Sequence, residues 1–321
     1  MANRVVYFNG QFVPESQARV SIFDSALMFG DMAFEMTRTY RHKTFRLRDH
    51  IHRLYAALKL MEIDCGLSMD EMEEVTEETV RRNTPTAAAD VDWQIMHDVS
   101  RGPLPAYRVA FSEEIRPTIS INCWPLMTHT GRFASNYETG VNLVVPSQQA
   151  VPAHLLDPKA KTRSRLHYQL ANLQGGRLGN AWPVMLDPDG FLAEGTGWNI
   201  FLVRDGVLYT PEPRNILLGV SRRTTIELAN KLGIKVCETN MGRWDALQAD
   251  EMFCTATTFS IVHACSFEGQ PIGDGQPGPV FARVINAWKD FVGLDFVDQA
   301  QEYATRLDDW EKRECESSQG N

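Results

Sequence analysis

Two residues of this chain have the side chains that carbonyl and heteroaromatic chemistry asks of a protein. Lys161 stands in Asp157-Pro158-Lys159-Ala160-Lys161-Thr162-Arg163-Ser164-Arg165-Leu166, between a turn and the start of an apolar helix. Glu194 stands in Ala193-Glu194-Gly195-Thr196-Gly197-Trp198-Asn199-Ile200-Phe201, at a strand end, ahead of small residues that let something flat come close. A lysine amine condenses with an aldehyde to a Schiff base, and a carboxylate keeps a pyridine nitrogen protonated; pyridoxal phosphate (PLP) chemistry needs both. By type alone, Lys161 reads equally as one surface lysine in a basic cluster, with Lys159 as its rival. Glu194 reads equally as an ordinary strand-end carboxylate. Arg163 and Arg165 favour the chemical reading, because neighbouring positive charge lowers the pKa of a partly desolvated amine.

Other stretches could meet an anion or a substrate. Gly219-Val220-Ser221-Arg222 opens a helix; Ser221 there serves as an N-cap, and the free N–H groups also form an anion site. Thr257 and Thr258 follow an apparent strand, where threonines are turn formers as well as hydroxyl donors. Arg53 lies roughly 140° from the centre of its helix's apolar stripe, which places it on a solvated face. Arg101, before Gly102-Pro103, fits a turn.

These residues need a scaffold, and 321 residues point to two domains. A β-hairpin over 5–13 turns at Asn9-Gly10. Strands are expected near 34–40, 93–99 and 118–123. Leu47, Ile51, Leu54, Tyr55 and Leu58 recur at helical spacing, predicting a helix over 48–62, and a more polar one follows over 71–82. These make a small α/β domain over 1–127. The hydrophobic pattern then stops, so 128–137 reads as a linker. Hairpins around Glu194 make 138–321 a β-rich domain, with helices over 168–177, 221–232 and 280–292. A charged surface helix over 299–314 and a frayed end close the chain.

Composition narrows the partners. A net charge of −9 argues against nucleic acid and anionic membrane. Six scattered cysteines without a C-x-x-C pair favour a reducing compartment and give no metal site. The first residues lack an apolar core and no run of about 18 apolar residues occurs, so a cytoplasmic location is expected.

Five motifs in order resemble the fold-type IV PLP enzymes: branched-chain and D-amino acid aminotransferases, (R)-amine transaminases and aminodeoxychorismate lyase. Asp157-Pro158 and Ser164-Arg165-Leu166 match the D-P-x-x-K and K-x-x-N-R-L runs with Lys161 as the lysine, Ser replacing Asn. The run from Glu194 to Phe201 resembles E-G-x-G-x-N-[LI]-F, which gives Glu194 the ring nitrogen, with Asn199 supporting the turn. His50-Ile51-His52-Arg53-Leu54 resembles H-x-x-R-L, whose arginine reaches the cofactor phosphate. Gly219, Val220 and Ser221 resemble the phosphate-binding G-[IV]-[ST]-R, and Thr257 and Thr258 resemble the S-x-T-[TA] loop. Phe29-Gly30-Asp31-Met32-Ala33-Phe34-Glu35-Met36-Thr37-Arg38 resembles [YF]-G-x-x-x-F-E-G-x-R, assigning Phe29, Phe34, Met36 and Arg38 to the substrate region, with Met36 in place of glycine. Arg101 resembles the carboxylate-holding arginine of the D-amino acid enzymes. The tyrosine that branched-chain enzymes carry five residues after the lysine is Leu166 here.

The resemblance implies a small N-terminal α/β domain and a larger domain with a β-barrel-like core. PLP lies between them in a homodimer, and Lys161 forms the Schiff base. It implies a transaminase acting on an amino acid or amine and a 2-keto acid, the motifs favouring branched-chain substrates. D-amino acid or (R)-amine transamination and a PLP lyase are the alternatives.

Overall fold

The computed structural model describes residues 4–110 and 115–319, with side chains described as far as residue 309 apart from Ala110. The chain's first three and last two residues, on which the expectations of no leader and a frayed end partly bear, lie outside the described residues. The chain divides into two compact units, Met1–Pro125 with Lys159–Leu166, and Leu126–Pro158 with His167–Asn321. The expected division puts residues 159–166 with the second domain. They group with the first because backbone hydrogen bonds join residues 161 and 163 to a strand there.

The first unit contains β1 (Val5–Phe8), β2 (Gln11–Pro14), α1 (Ser25–Phe29), β3 (Met32–Tyr40), β4 (Lys43–Thr44), α2 (Leu47–Leu60), α3 (Met69–Asn83), β5 (Trp93–Ser100) and β6 (Thr118–Pro125). Its six strands form one antiparallel sheet in the order β2-β1-β6-β5-β3-β4. The expected turn at Asn9-Gly10 joins β1 to β2, both residues having positive φ (48° and 91°). Arg41 and His42 adopt the same left-handed conformation between β3 and β4 (51° and 63°), where no glycine eases it. The buried Asp92 carboxylate compensates by accepting from both their N–H groups, at 3.2 and 2.9 Å.

α2 buries Leu47, Ile51, Leu54 and Leu58, the stripe the sequence predicts, against a core containing Trp93, Ile95 and Ile121. α3 starts with a capping box, in which Ser68 and Glu71 satisfy each other's backbone N–H groups.

The second unit contains α4 (Met127–Thr130), α5 (Asn136–Thr139), β7 (Val141–Val144), α6 (Leu166–Arg177, its first residue grouping with the first unit), β8 (Trp182–Leu186), β9 (Leu192–Gly195), β10 (Asn199–Arg204), β11 (Val207–Thr210), α7 (Val220–Lys231), β12 (Val236–Glu238), α8 (Arg243–Leu247), β13 (Glu251–Ala256), β14 (Ser260–Phe267), β15 (Gln270–Pro271), α9 (Pro279–Val292) and α10 (Phe296–Gln319). Its sheet is mixed, in the order β12-β11-β10-β13-β14-β7-β8-β9, with β15 added beside β14. β9 closes back toward β10 through the Gly195 N–H, which donates to the Trp198 carbonyl at 2.9 Å. The sheet therefore curls like part of a barrel.

Two expectations change here. Residues 128–137, read as a linker, fold largely as short helical turns packed on α10; a methyl on Gly131 would sit 2.7 Å from Leu307 Cδ1. α10 is no surface helix over its first half, because Phe296, Ala300, Tyr303 and Leu307 form a buried stripe that its many charges mask in the sequence.

His97 of β5 is buried beside Thr76 Oγ1, 2.8 Å from its Nε2, and faces Glu35 across the β3–β5 ladder. Burial is the main cause that pulls its pKa down to about 4; His50 acts in the same direction and Glu35 opposes it. The fold thus keeps His97 neutral at a pH where the unfolded chain takes up a proton. Its contribution to stability is complete above about pH 6.5 and declines as pH falls toward about 4, by up to about 1.4 kcal/mol per pH unit. Urea unfolding at about pH 7 and about pH 5 should show a larger loss for the wild type than for His97→Gln. Equal losses would remove His97 as the cause.

Candidate active site

The first unit brings Lys161 and Arg53 into one neighbourhood. The Phe34 N–H donates to the Lys161 carbonyl and the Arg163 N–H to the Met32 carbonyl, both at 2.9 Å, forming a short bridge to the start of β3. Lys161 Nζ lies 4.6 Å from the centre of the Phe34 ring, within cation–π range, and its side chain is half-buried while Lys159 is exposed. The same stretch presses on the end of α1. A Cβ on Gly30 would meet Ser164 Oγ at 2.7 Å, and φ there is +69°. Arg163 lies over Phe34 too, but Asp98 receives its guanidinium at 2.7 Å and so offsets part of the positive charge expected beside Lys161.

Arg53 does not face solvent. Its side chain is 13% exposed and forks onto the buried Glu35 carboxylate, Nε to Oε1 at 2.6 Å and Nη2 to Oε2 at 2.8 Å. Hydrophobic periodicity misplaces it because β3 supplies a buried anion that no helical pattern reveals. His50 Nδ1 lies 2.8 Å from the same Oε2. Burial alone would raise the Glu35 pKa, but Arg53 and then His50 hold it well below the usual carboxylate range. Burial lowers the pKa of His50; Glu35 opposes this, and the charges of Arg53 and Lys161 reinforce it.

The second unit builds a cage for Glu194. At 4% exposure its carboxylate accepts from the Tyr168 hydroxyl at 2.9 Å, the Leu217 N–H at 2.9 Å and Asn199 Nδ2 at 3.3 Å. Hydrogen bonds of this kind favour the ionised form. Asn199 Nδ2 also donates to the Leu217 carbonyl at 3.1 Å, tying the carboxylate to the loop that enters α7. Tyr168 and Leu217 were missed in the sequence. Nothing at seven residues past Lys161 marks a hydroxyl aimed at Glu194, and an N–H donor has no residue signature.

The glycines after Glu194 divide in role. At Gly195 the flat neighbour is the chain's own Trp198 indole, which an added Cβ would meet at 1.9 Å; at Gly197 nothing lies within 4 Å.

α7 begins one residue earlier than predicted, with Gly219 at the N-cap and no side-chain cap. Ser221 is thus no N-cap; it lies buried within the first turn, beside Val220, where backbone N–H groups lack helical acceptors. Thr257 and Thr258 form the β13–β14 turn, both half-buried.

The expected substrate residues scatter. Phe29 is 66% exposed on α1, Phe34 is the ring beneath Lys161, and Met36 is half-buried on β3. Arg38 is fully buried, with Cζ 3.9 Å from the Tyr40 ring centre and Nε donating to the Thr39 carbonyl, which makes it a core residue. Arg101 pairs with Asp31 at 2.8 Å and donates to the carbonyls of Met61 and Glu62 at the end of α2. That is the turn role, and it already employs all three guanidinium nitrogens.

The chain is similar to proteins of one known family. The family model Amino-transferase class IV matches residues 32–267. A putative branched-chain-amino-acid aminotransferase of Methanocaldococcus jannaschii is 35% identical over 286 residues, 89% of this chain and 95% of its own length. The branched-chain-amino-acid aminotransferase of Escherichia coli K12 is 32% identical, covering 90% and 92%. Among solved structures, an E. coli branched-chain amino acid aminotransferase superposes with a TM-score of 0.81 at 30% identity, covering 91% of this chain and 94% of that one. The PLP-form of a branched-chain amino acid aminotransferase from Thermobaculum terrenum scores 0.77 at 25% identity, covering 94% and 97%. These matches establish the two-part α/β fold.

The Glu194 cage makes one substitution decisive. A methyl group on Gly219 would fall 2.1 Å from Asn199 Oδ1, so Gly219→Ala must push the amide out of its place between Glu194 and Leu217. The expected cost is about 1–3 kcal/mol of stability, read as a lowered midpoint of thermal or urea unfolding. An unchanged midpoint would show that the amide has room to shift.

Proposed function

The chain belongs to the class IV aminotransferases, and from that premise we propose that it is a PLP-dependent transaminase moving amino groups between branched-chain amino acids and 2-keto acids. The observation that carries the proposal is the half-buried Lys161 amine, its backbone fixed to β3 and its Nζ over the Phe34 ring. The named relatives and the Phe34-Glu35 and Glu194-to-Phe201 motifs support the branched-chain reading.

The residues present fit the cofactor. A caged, buried carboxylate suits a pyridinium N–H, a half-buried amine suits an aldehyde, and an arginine with N–H- and hydroxyl-bearing turns suits a phosphate. PLP, when bound, supplies an electron sink for the pair released as the substrate Cα–H bond breaks.

Lys161 Nζ would hold the cofactor's aldehyde carbon, and its amine would move the proton at substrate Cα as general base and acid. Glu194 would keep the ring nitrogen protonated by accepting from its N–H. A hydroxyl, an amide and a backbone N–H support it as an anion there, and such neutral donors stabilise a charge without cancelling it. Arg53, the first turn of α7 at Gly219, Val220 and Ser221, and the Thr257-Thr258 turn would hold the phosphate. Phe29, Phe34 and Met36 border the substrate, with Met36 narrowing the space that glycine would leave. Arg38 and Arg101 are left out of this role by their buried and employed guanidinium groups.

We read the enzyme as a cytoplasmic homodimer without nucleic acid or membrane partners. The family resemblance supports the dimer. The net charge of −9, and the five cysteines free among the described residues, fit the compartment. Among the described residues no helix is long and apolar enough to cross a membrane.

The test is the visible spectrum of the purified protein with L-leucine, D-alanine or (R)-1-phenylethylamine added separately. Bleaching with L-leucine supports the branched-chain reading. Bleaching with only one of the other two donors transfers the enzyme to the D-amino acid or (R)-amine branch, and repeated pyruvate release from aminodeoxychorismate without a keto acceptor identifies a lyase. Lys161→Ala should abolish turnover, and transamination retained in that variant would refute its role.

A further inference from the structure

We infer that Glu35 is a positioning residue for cofactor binding, fixing the plane and direction in which the Arg53 guanidinium meets the phosphate. The inference rests on the phosphate role proposed for Arg53. Glu35 holds two of the three guanidinium nitrogens, Nε at 2.6 Å and Nη2 at 2.8 Å, each on a separate carboxylate oxygen. A two-point fork leaves an arginine no rotation about its own plane, whereas a single contact would.

The carboxylate is itself fixed. It is 1% exposed on β3, and Oε2 also lies 2.8 Å from His50 Nδ1. Facing an ionised carboxylate, that nitrogen carries the imidazole proton and donates it. His50 and Arg53 are three residues apart on α2, so one turn of helix presents both donors to one strand carboxylate.

Stability alone is a poor reason for this arrangement, since burying an ion pair costs desolvation that apolar packing avoids. What the pair does supply is orientation. Arg53 keeps 13% of its side chain exposed while Glu35 keeps almost none. The anion is thus the more deeply buried member of the pair.

The experiment titrates PLP and pyridoxal, which lacks the phosphate, into the full-length protein freed of cofactor, following absorbance. Glu35→Gln places an amide N–H against the guanidinium and breaks the fork. It should weaken PLP on the order of tenfold, the scale of one well-placed charge-assisted hydrogen bond, and pyridoxal by less than about threefold. Equal weakening of both ligands, or of neither, overturns the positioning role.

Arg53→Ala separates the two ideas. A selective loss of PLP in that variant but not in Glu35→Gln overturns the inference alone. An unchanged PLP-to-pyridoxal ratio in Arg53→Ala removes the phosphate role of Arg53 and the inference with it. If Glu35→Gln does not fold, Glu35→Asp keeps the charge but withdraws the carboxylate by one methylene. It should show the same selective loss, and an unaltered ratio there overturns the proposal.

Discussion

A carboxylate taken out of water must be met by donors, and each unit of this chain is arranged around one such group. Glu35 in the first unit is met by a cation, the Arg53 fork, with the His50 imidazole as second donor. Glu194 in the second unit is met by a phenol, an amide and a backbone N–H. The difference bears on what each can do. The Glu35 charge is cancelled where it stands, so the residue orients its partner. These three donors on Glu194 are neutral, which suits the ring-nitrogen role proposed for it.

Close backbone approaches hold these groups in place. Ser164 presses on Gly30 and Asn199 on Gly219, and in each pair the small residue lets a functional segment lie nearer than a side chain would allow. The Gly30 contact bears on the Lys161 segment, and the Gly219 contact couples the Glu194 cage to the start of α7. Glycine is needed for space at both sites. At Gly30 it is also needed for the positive φ that ends α1.

What the sequence made legible was local. The α2 stripe, the Asn9-Gly10 turn and the Glu194 strand end all follow from neighbours a few residues apart. What stayed hidden depends on partners far along the chain. Asp92 supports a turn some 50 residues before it, Glu251 accepts the N–H groups of Val280 and Phe281 at the start of α9, and Glu35 turns Arg53 inward. Those carboxylates carry no mark of their partners in the sequence until folding shows what they face. The motif resemblance reached Lys161 and Arg53 where periodicity did not, because it carries long-range context that a helical wheel lacks. It had no means to find Tyr168, whose hydroxyl reaches Glu194 while Leu166, at the position of the family tyrosine, is 72% exposed.

The setting of Lys161 combines two demands that pull apart. An amine that first holds a cofactor and then carries a proton has to move, yet its path has to begin from one place each time. Backbone hydrogen bonds fix the start, joining Lys161 and Arg163 to Phe34 and Met32. The four-carbon stem supplies the movement, and the aromatic face of Phe34 lies within cation–π range of the ammonium group. Burying Phe34 on β3 fixes that face relative to the same strand that fixes the backbone. One strand therefore fixes both the backbone origin of the lysine and the aromatic face near its amine. Its next residue, Glu35, turns to the opposite side and holds Arg53.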